Sequence, residues 1–100
     1  MQYAYYHVGA QLSAAITTNA TTLINQGSGA IFAGAVVATA GSAWTLEIYN
    51  GNPTSGGVLL TTISSSKPGG LTSPLLACPQ GLYVETSNIT AGSLSVCYYA

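Results

Sequence analysis

Charge is the first thing this chain lacks. Among its 100 residues there is no Asp and no Arg, one Lys (Lys67), one His (His7) and two Glu (Glu47 and Glu85). Charged residues make up 3% of the chain, against about 25% in an ordinary soluble domain. One Lys cannot neutralise a run of phosphates, so a nucleic-acid partner held by counterion release is not expected. A basic amphipathic helix for a membrane surface is excluded on the same ground. The longest apolar run, "AIFAGAVVATA" at residues 30–40, falls short of the roughly 20 residues a spanning helix requires. It reads instead as a buried strand.

Catalytic groups are equally scarce. A nucleophile–base–orienter triad has only His7 with Glu47 or Glu85 to draw on, and His7 lies in an N-terminal stretch where fixed geometry is least expected. The two Glu formally supply a glycosidase-type carboxylate pair. Nothing in the spacing brings them together, and each reads as an outward residue on its own strand, so no active site is expected. Cys78, Cys97 and His7 show none of the short-range ligand pairing of structural zinc sites. No metal or cofactor is expected.

What the chain does have is apolar bulk and hydroxyls. Hydrophobic residues are 48%, with seven Tyr, enough buried area to offset chain entropy and argue against disorder. At this length a single domain buries roughly 60–65% of its unfolded surface. The chain is therefore read as one domain over residues 1–100. Its net charge of −1 sets up almost no repulsion between copies and favours assembly.

Period-two alternation recurs along the chain, and helical periodicity is scarce. In "AWTLEIYN" Trp44, Leu46 and Ile48 share one face, while Thr45, Glu47 and Tyr49 share the other. "NGNPTSGG" follows as a turn-rich connection, then a strand "VLLTTISS" that "SSKPGG" ends. "LTSPLLA" reads as a strand interrupted by Pro74, hence an edge or a bulge. "GLYVETS" and "SLSVCYY" around "NITAG" look like a terminal hairpin, with Leu82, Val84, Leu94, Val96 and Tyr98 facing the core. With "QLSAAIT", "TTLIN" and the run at 30–40, about eight strands are expected at a spacing of roughly 8–12 residues. The fold class is thus all-β, a small antiparallel β-sandwich of jelly-roll-like form.

Residues 1–8, "MQYAYYHV", depart from this pattern and are expected to form an extended arm. No basic region followed by an apolar stretch precedes the domain, so no signal peptide is expected. Tyr3, Tyr5, Tyr6, His7, Tyr98 and Tyr99 gather at the two termini and are the candidate interface residues, since Tyr offers large area with a polar tip. Ordinary partial burial is the competing explanation. Cys78 and Cys97 are either a disulfide or two small thiols, buried or half-buried. In the expected terminal hairpin Cys97 lies opposite about Tyr83, so a bridge to Cys78 requires a bulge or a neighbouring strand. Strand edges this poor in Lys invite pairing. A homo-oligomer, with a trimer as the specific expectation, follows.

Two stretches, "GSAWTLEIYNGNPTSGGVLLTTIS" and "GLYVETSNITAGSLSVCYY", together cover roughly residues 41–99. They resemble small structural proteins of tailed bacteriophages, whose pattern joins a Gly-x-Ala-Trp-Thr strand, an IY(D/N)G turn, a Ser-Gly-rich loop and a final GLYV…G…VxY hairpin. Asn50 stands here where many relatives have Asp, and the two Cys are not part of the pattern. The nearest role is the capsid decoration or cement protein. The resemblance implies a non-enzymatic β-sandwich on the capsid exterior that is made in the host cytoplasm and binds the major capsid protein lattice. The alternative it leaves open is a tail-fibre or baseplate module that recognises a receptor glycan through its "NGNPTSGG" and "KPGG" loops. It carries no site residue.

Overall fold

The structure, a computed structural model, describes residues 11–39, 44–64, 75–89 and 92–99. Eight strands run through them: β1 (Gln11–Leu12), β2 (Ala20–Asn25), β3 (Ile31–Thr39), β4 (Thr45–Asn50), β5 (Val58–Ser64), β6 (Leu76–Ala77), β7 (Leu82–Ser87) and β8 (Ser93–Tyr99). They form two four-stranded sheets, ordered β1-β8-β3-β6 (sheet A) and β2-β7-β4-β5 (sheet B). Every pairing is antiparallel.

The order has a simple logic. Four pairings, β1 with β8, β2 with β7, β3 with β6 and β4 with β5, are those of one long hairpin whose tip lies between β4 and β5. Two further pairings, β3 with β8 and β4 with β7, roll that hairpin into two facing sheets. This is the eight-stranded jelly roll. The sandwich anticipated from the alternation is therefore the observed fold.

The core lies between the sheets. Sheet A contributes Phe32, Ala35, Leu94 and Val96, and sheet B contributes Leu46, Ile48, Ile63, Leu82 and Val84. Trp44 is buried just before β4. Six of the seven residues expected inward on these strands, Leu46, Ile48, Leu82, Val84, Leu94 and Val96, are fully enclosed, and Tyr98 packs against them from the margin.

The terminal hairpin is corrected. β7 and β8 do not pair; they lie in opposite sheets, β7 between β2 and β4 and β8 between β1 and β3. Alternation alone cannot separate a hairpin from an arch between facing layers, because both turn the same residues inward. Long-range pairing decides it. Asn88 turns the chain with φ 59, and Ile89 seats in the core. Its N–H donates to Asn19 Oδ1 at 2.9 Å, which ties the β7–β8 crossing to the β1–β2 connection. Cys97 consequently faces Gly34 and Leu12 rather than Tyr83.

The expected strand in "QLSAAIT" shortens to β1 and an isolated bridge between Ile16 and Leu94. Ser13 holds the intervening segment: its N–H donates to the Val96 carbonyl, and its hydroxyl accepts from Val96 N–H, both at 2.9 Å. In β3 a bulge between Phe32 and Gly34 places Gly34 at φ 131, a backbone region that favours glycine. Among the described strands, sheet A ends on two-residue edges, β1 and β6. Sheet B ends on the longer β2 and β5. Pro74, the arm at 1–8 and the "KPGG" loop lie outside the described residues.

Candidate functional site

The outer face of sheet B carries the only carboxylate side chains of the chain. Strand alternation turns Leu46 and Ile48 of β4 and Leu82, Val84 and Thr86 of β7 into the core. It therefore turns Thr45, Glu47, Tyr49, Tyr83, Glu85 and Ser87 outward.

Register then aligns these residues in rows. Leu23, Tyr83, Tyr49 and Leu59 are successive cross-strand partners across β2, β7, β4 and β5. Thr21, Glu85, Glu47 and Thr62 form the adjacent row. Ser87, Thr45 and Ser64 form a third. An acidic row thus lies between an aromatic–aliphatic row and a hydroxyl row. Four strands at about 4.8 Å spacing make each full row roughly 15 Å wide.

Glu47 and Glu85 stand directly opposite each other, which sets their Cβ atoms about 4.5–5.5 Å apart. Residue spacing alone offers no reason to expect this meeting, since the signal resides in a pairing between strands distant along the chain. The Tyr49 hydroxyl donates to Glu47 Oε1 at 3.1 Å. Burial against the sheet raises the Tyr49 pKa above the ordinary phenol value, and the hydrogen bond to Glu47 and the charges of Glu47 and Glu85 add to the rise. The face is open at its margins, where Leu23 and Leu59 are nearly half exposed, at 46% and 47%. Side by side on this face, the two carboxylates concentrate the negative charge of the described residues at one point.

The loop after β4 is built differently. Asn52 caps a 3₁₀ turn at Pro53–Ser55, its Oδ1 accepting from Thr54 N–H at 3.0 Å and from the Thr54 hydroxyl at 2.8 Å. Gly57 N–H returns to the Asn52 carbonyl at 2.8 Å, and a Cβ at Gly57 would overlap the Gly51 carbonyl. Asn50 Oδ1 accepts from Gln80 N–H at 2.8 Å. The loop is polar and internally braced.

A groove of about 350 Å³ opens along the side of the sandwich between the β1 edge and β2. Leu12, Ile16, Thr22, Ile24 and Tyr98 line it. Tyr98 is the titratable residue among its walls. Tyr99, its neighbour, lies on the other face of β8, paired with Ile31. These two interface candidates are thus on opposite sides of a sheet. Tyr3, Tyr5, Tyr6 and His7 lie outside the described residues.

Both cysteines are free thiols. Cys78 is wholly buried, its N–H bonded to the Ala30 carbonyl at 2.8 Å, and burial pushes its thiol pKa up. Cys97 alternates with the inward Val96 and is half-buried on the outer face of sheet A. The disulfide considered from the sequence is absent because the two side chains project from opposite faces. Among the described residues no three His, Cys, Asp or Glu side chains group as metal ligands. Comparison with protein-family models, with curated proteins and with solved structures finds no match for this chain.

Proposed function

We propose that this protein is a non-enzymatic structural component of a tailed-phage virion. In this reading it decorates the capsid exterior by binding the major capsid protein lattice and holding neighbouring capsomers together. The observation that carries the reading is the edge strand β5. It is seven residues long, without charge, Pro or Gly, and Val58, Leu59 and Leu60 are exposed in succession. Among the described residues no strand pairs with its outer side, and an uncharged edge of this kind is a template for another chain. The jelly roll is compatible with a shell protein, although folds of this type host many functions. The pattern over residues 41–99, resembling small virion proteins, supplies the specific role.

Homotrimers are the proposed solution state, with the residue 1–8 arm and the sheet edges making the contacts. The test is sizing by mass, followed by co-sedimentation with capsid shells that lack the protein. Saturation at a fixed ratio, hundreds of copies per particle, is expected. A protein that ignores the shells overturns the reading.

The braced loop around Asn52 favours a second reading, a receptor-recognition module of a tail fibre or baseplate. A preorganised polar loop avoids the ordering cost of binding a glycan. A handful of copies per virion would identify it.

A further inference from the structure

We infer that the groove between the β1 edge and β2 receives residues 1–8 of a second copy of this chain, so that copies are joined by exchanged N-terminal arms. The inference rests on the reading above in one respect: it takes the protein to be a homo-oligomer.

The groove lies where the two sheets part. β1 is an edge of sheet A and β2 an edge of sheet B, and Leu12, Ile16, Thr22, Leu23, Ile24 and Tyr98 line the gap between them. Its volume of about 350 Å³ sits at the small end of the roughly 300–1,000 Å³ typical of ligand pockets. That is room for a few side chains of an inserted peptide. Among the described residues none that lines it is charged. Leu12 and Leu23 stay 58% and 46% exposed, an apolar margin that a partner would cover.

Connectivity, direction and chemistry select the occupant. Residues 65–74 join β5 to β6, the opposite edges of the two sheets, whereas residues 1–10 lead straight into β1, the wall of the groove. The chain enters that wall at its Tyr98 end, where Gln11 pairs with Tyr98, and then runs along it toward Thr18. A chain would have to double back to fill its own groove. Leading away instead, eight residues span roughly 26–29 Å when extended, enough to reach a neighbouring copy. The segment "MQYAYYHV" carries no Asp, Glu, Lys or Arg, which matches an uncharged groove. Its tyrosines can lay their rings on the apolar wall while their hydroxyls meet the hydroxyls of Thr18 and Thr22. Among the described residues β1 has β8 as its single neighbour, so an extended arm can also add main-chain hydrogen bonds along its outer side. An arm in a groove joins two different surfaces, and such contacts close as rings. A ring of three is the trimer proposed above.

The experiment is mass-resolved sizing of the full chain and two variants. Y3S/Y5S/Y6S removes the anchors of the arm. Ala15→Arg sets a long charged side chain on the groove wall at an exposed position, so its fold is retained and it tests the groove by itself; melting curves check both variants. Each variant alone is expected to lose at least about tenfold in self-association. Mixed, the two are expected to form one-to-one heterodimers, because the intact arm of Ala15→Arg finds the open groove of the other variant.

Variants that keep the native size overturn the inference, and so does a mixture that forms no heterodimer. A lower melting temperature without a change in size is the mark of an arm lying in its own groove, and it too overturns exchange. A monomeric native chain overturns the inference together with the proposed trimer, while co-sedimentation with capsid shells reads the decoration role separately. If the mixture recovers heterodimers but the native chain ignores the shells, the decoration role fails and arm exchange stands.

Discussion

Glu47 on β4 and Glu85 on β7 are direct cross-strand partners, and they are the two carboxylate side chains of a 100-residue chain. A chain so poor in charge has concentrated its acids in one place on an open face. The arrangement works against the sheet that displays it, since the hydroxyls of Thr21 and Thr62 at the ends of the row carry no positive charge. Such a pair is stabilised when a cation arrives.

Glu85→Gln is therefore expected to stabilise the isolated protein. Relief of an opposed like-charge pair amounts to about 0.2–1 kcal/mol. For a domain of this size 1 kcal/mol corresponds to roughly 4–8 °C in melting temperature. Calorimetry at neutral pH and low salt should show a rise of a few degrees that shrinks as salt is added. A fall in melting temperature would mean that Glu85 is engaged in a favourable interaction.

The Tyr49 phenol should ionise above the ordinary phenol value, through partial burial, its hydrogen bond to Glu47 and the two nearby charges. A folded-state pKa raised above the unfolded value contributes stability at lower pH and loses it as pH rises through the folded value. Stability should thus decline above about pH 10. Glu47→Gln should lower the Tyr49 midpoint toward the ordinary value, as read from its ring resonances against a Tyr49→Phe control.

Thiol chemistry should separate the two cysteines. Half-buried Cys97 is expected to react with a thiol reagent in the native state. Cys78, enclosed and with its pKa raised by burial, should react only on unfolding, because the thiolate is the reactive form. Mild oxidation should leave the intramolecular disulfide unformed by mass spectrometry. Equal labelling rates would contradict the burial of Cys78.

Thr86 is the one buried polar side chain among the described residues. Its hydroxyl donates to the Thr18 carbonyl at 2.7 Å and accepts from Ala20 N–H at 3.1 Å, pinning the start of β2 against β7. Thr86→Val keeps the shape and leaves both backbone groups without this partner. A loss of about 1–3 kcal/mol is expected, measured by denaturant unfolding. A neutral result would mean that water replaces the hydroxyl.

Much of the fold was legible because a half-buried strand declares itself locally. Trp44, Leu46 and Ile48 alternate with Thr45, Glu47 and Tyr49, and burial follows that alternation residue by residue. The same reasoning failed between β7 and β8. Leu82, Val84, Leu94 and Val96 face one core either as a hairpin or as an arch, so the inward pattern is identical and only the partner strands differ. The cysteine geometry failed with it, because the position of Cys97 was inferred from the hairpin. The sheet B face lay beyond local reading altogether. Each of its residues looks like an unremarkable outward position, and the rows exist only through the registers of β2, β7, β4 and β5.

Composition and alternation by themselves determined that this chain is an all-β sandwich with little charge and a real core, since those properties depend on residue type and a period of two. Tertiary structure alone decided which strands are neighbours. Pairing is a contest among distant segments with similar patterns, settled by the joint fit of two sheets over one core. That contest set Glu47 against Glu85, put β7 and β8 in opposite sheets, and set Cys97 beside Leu12 and Gly34.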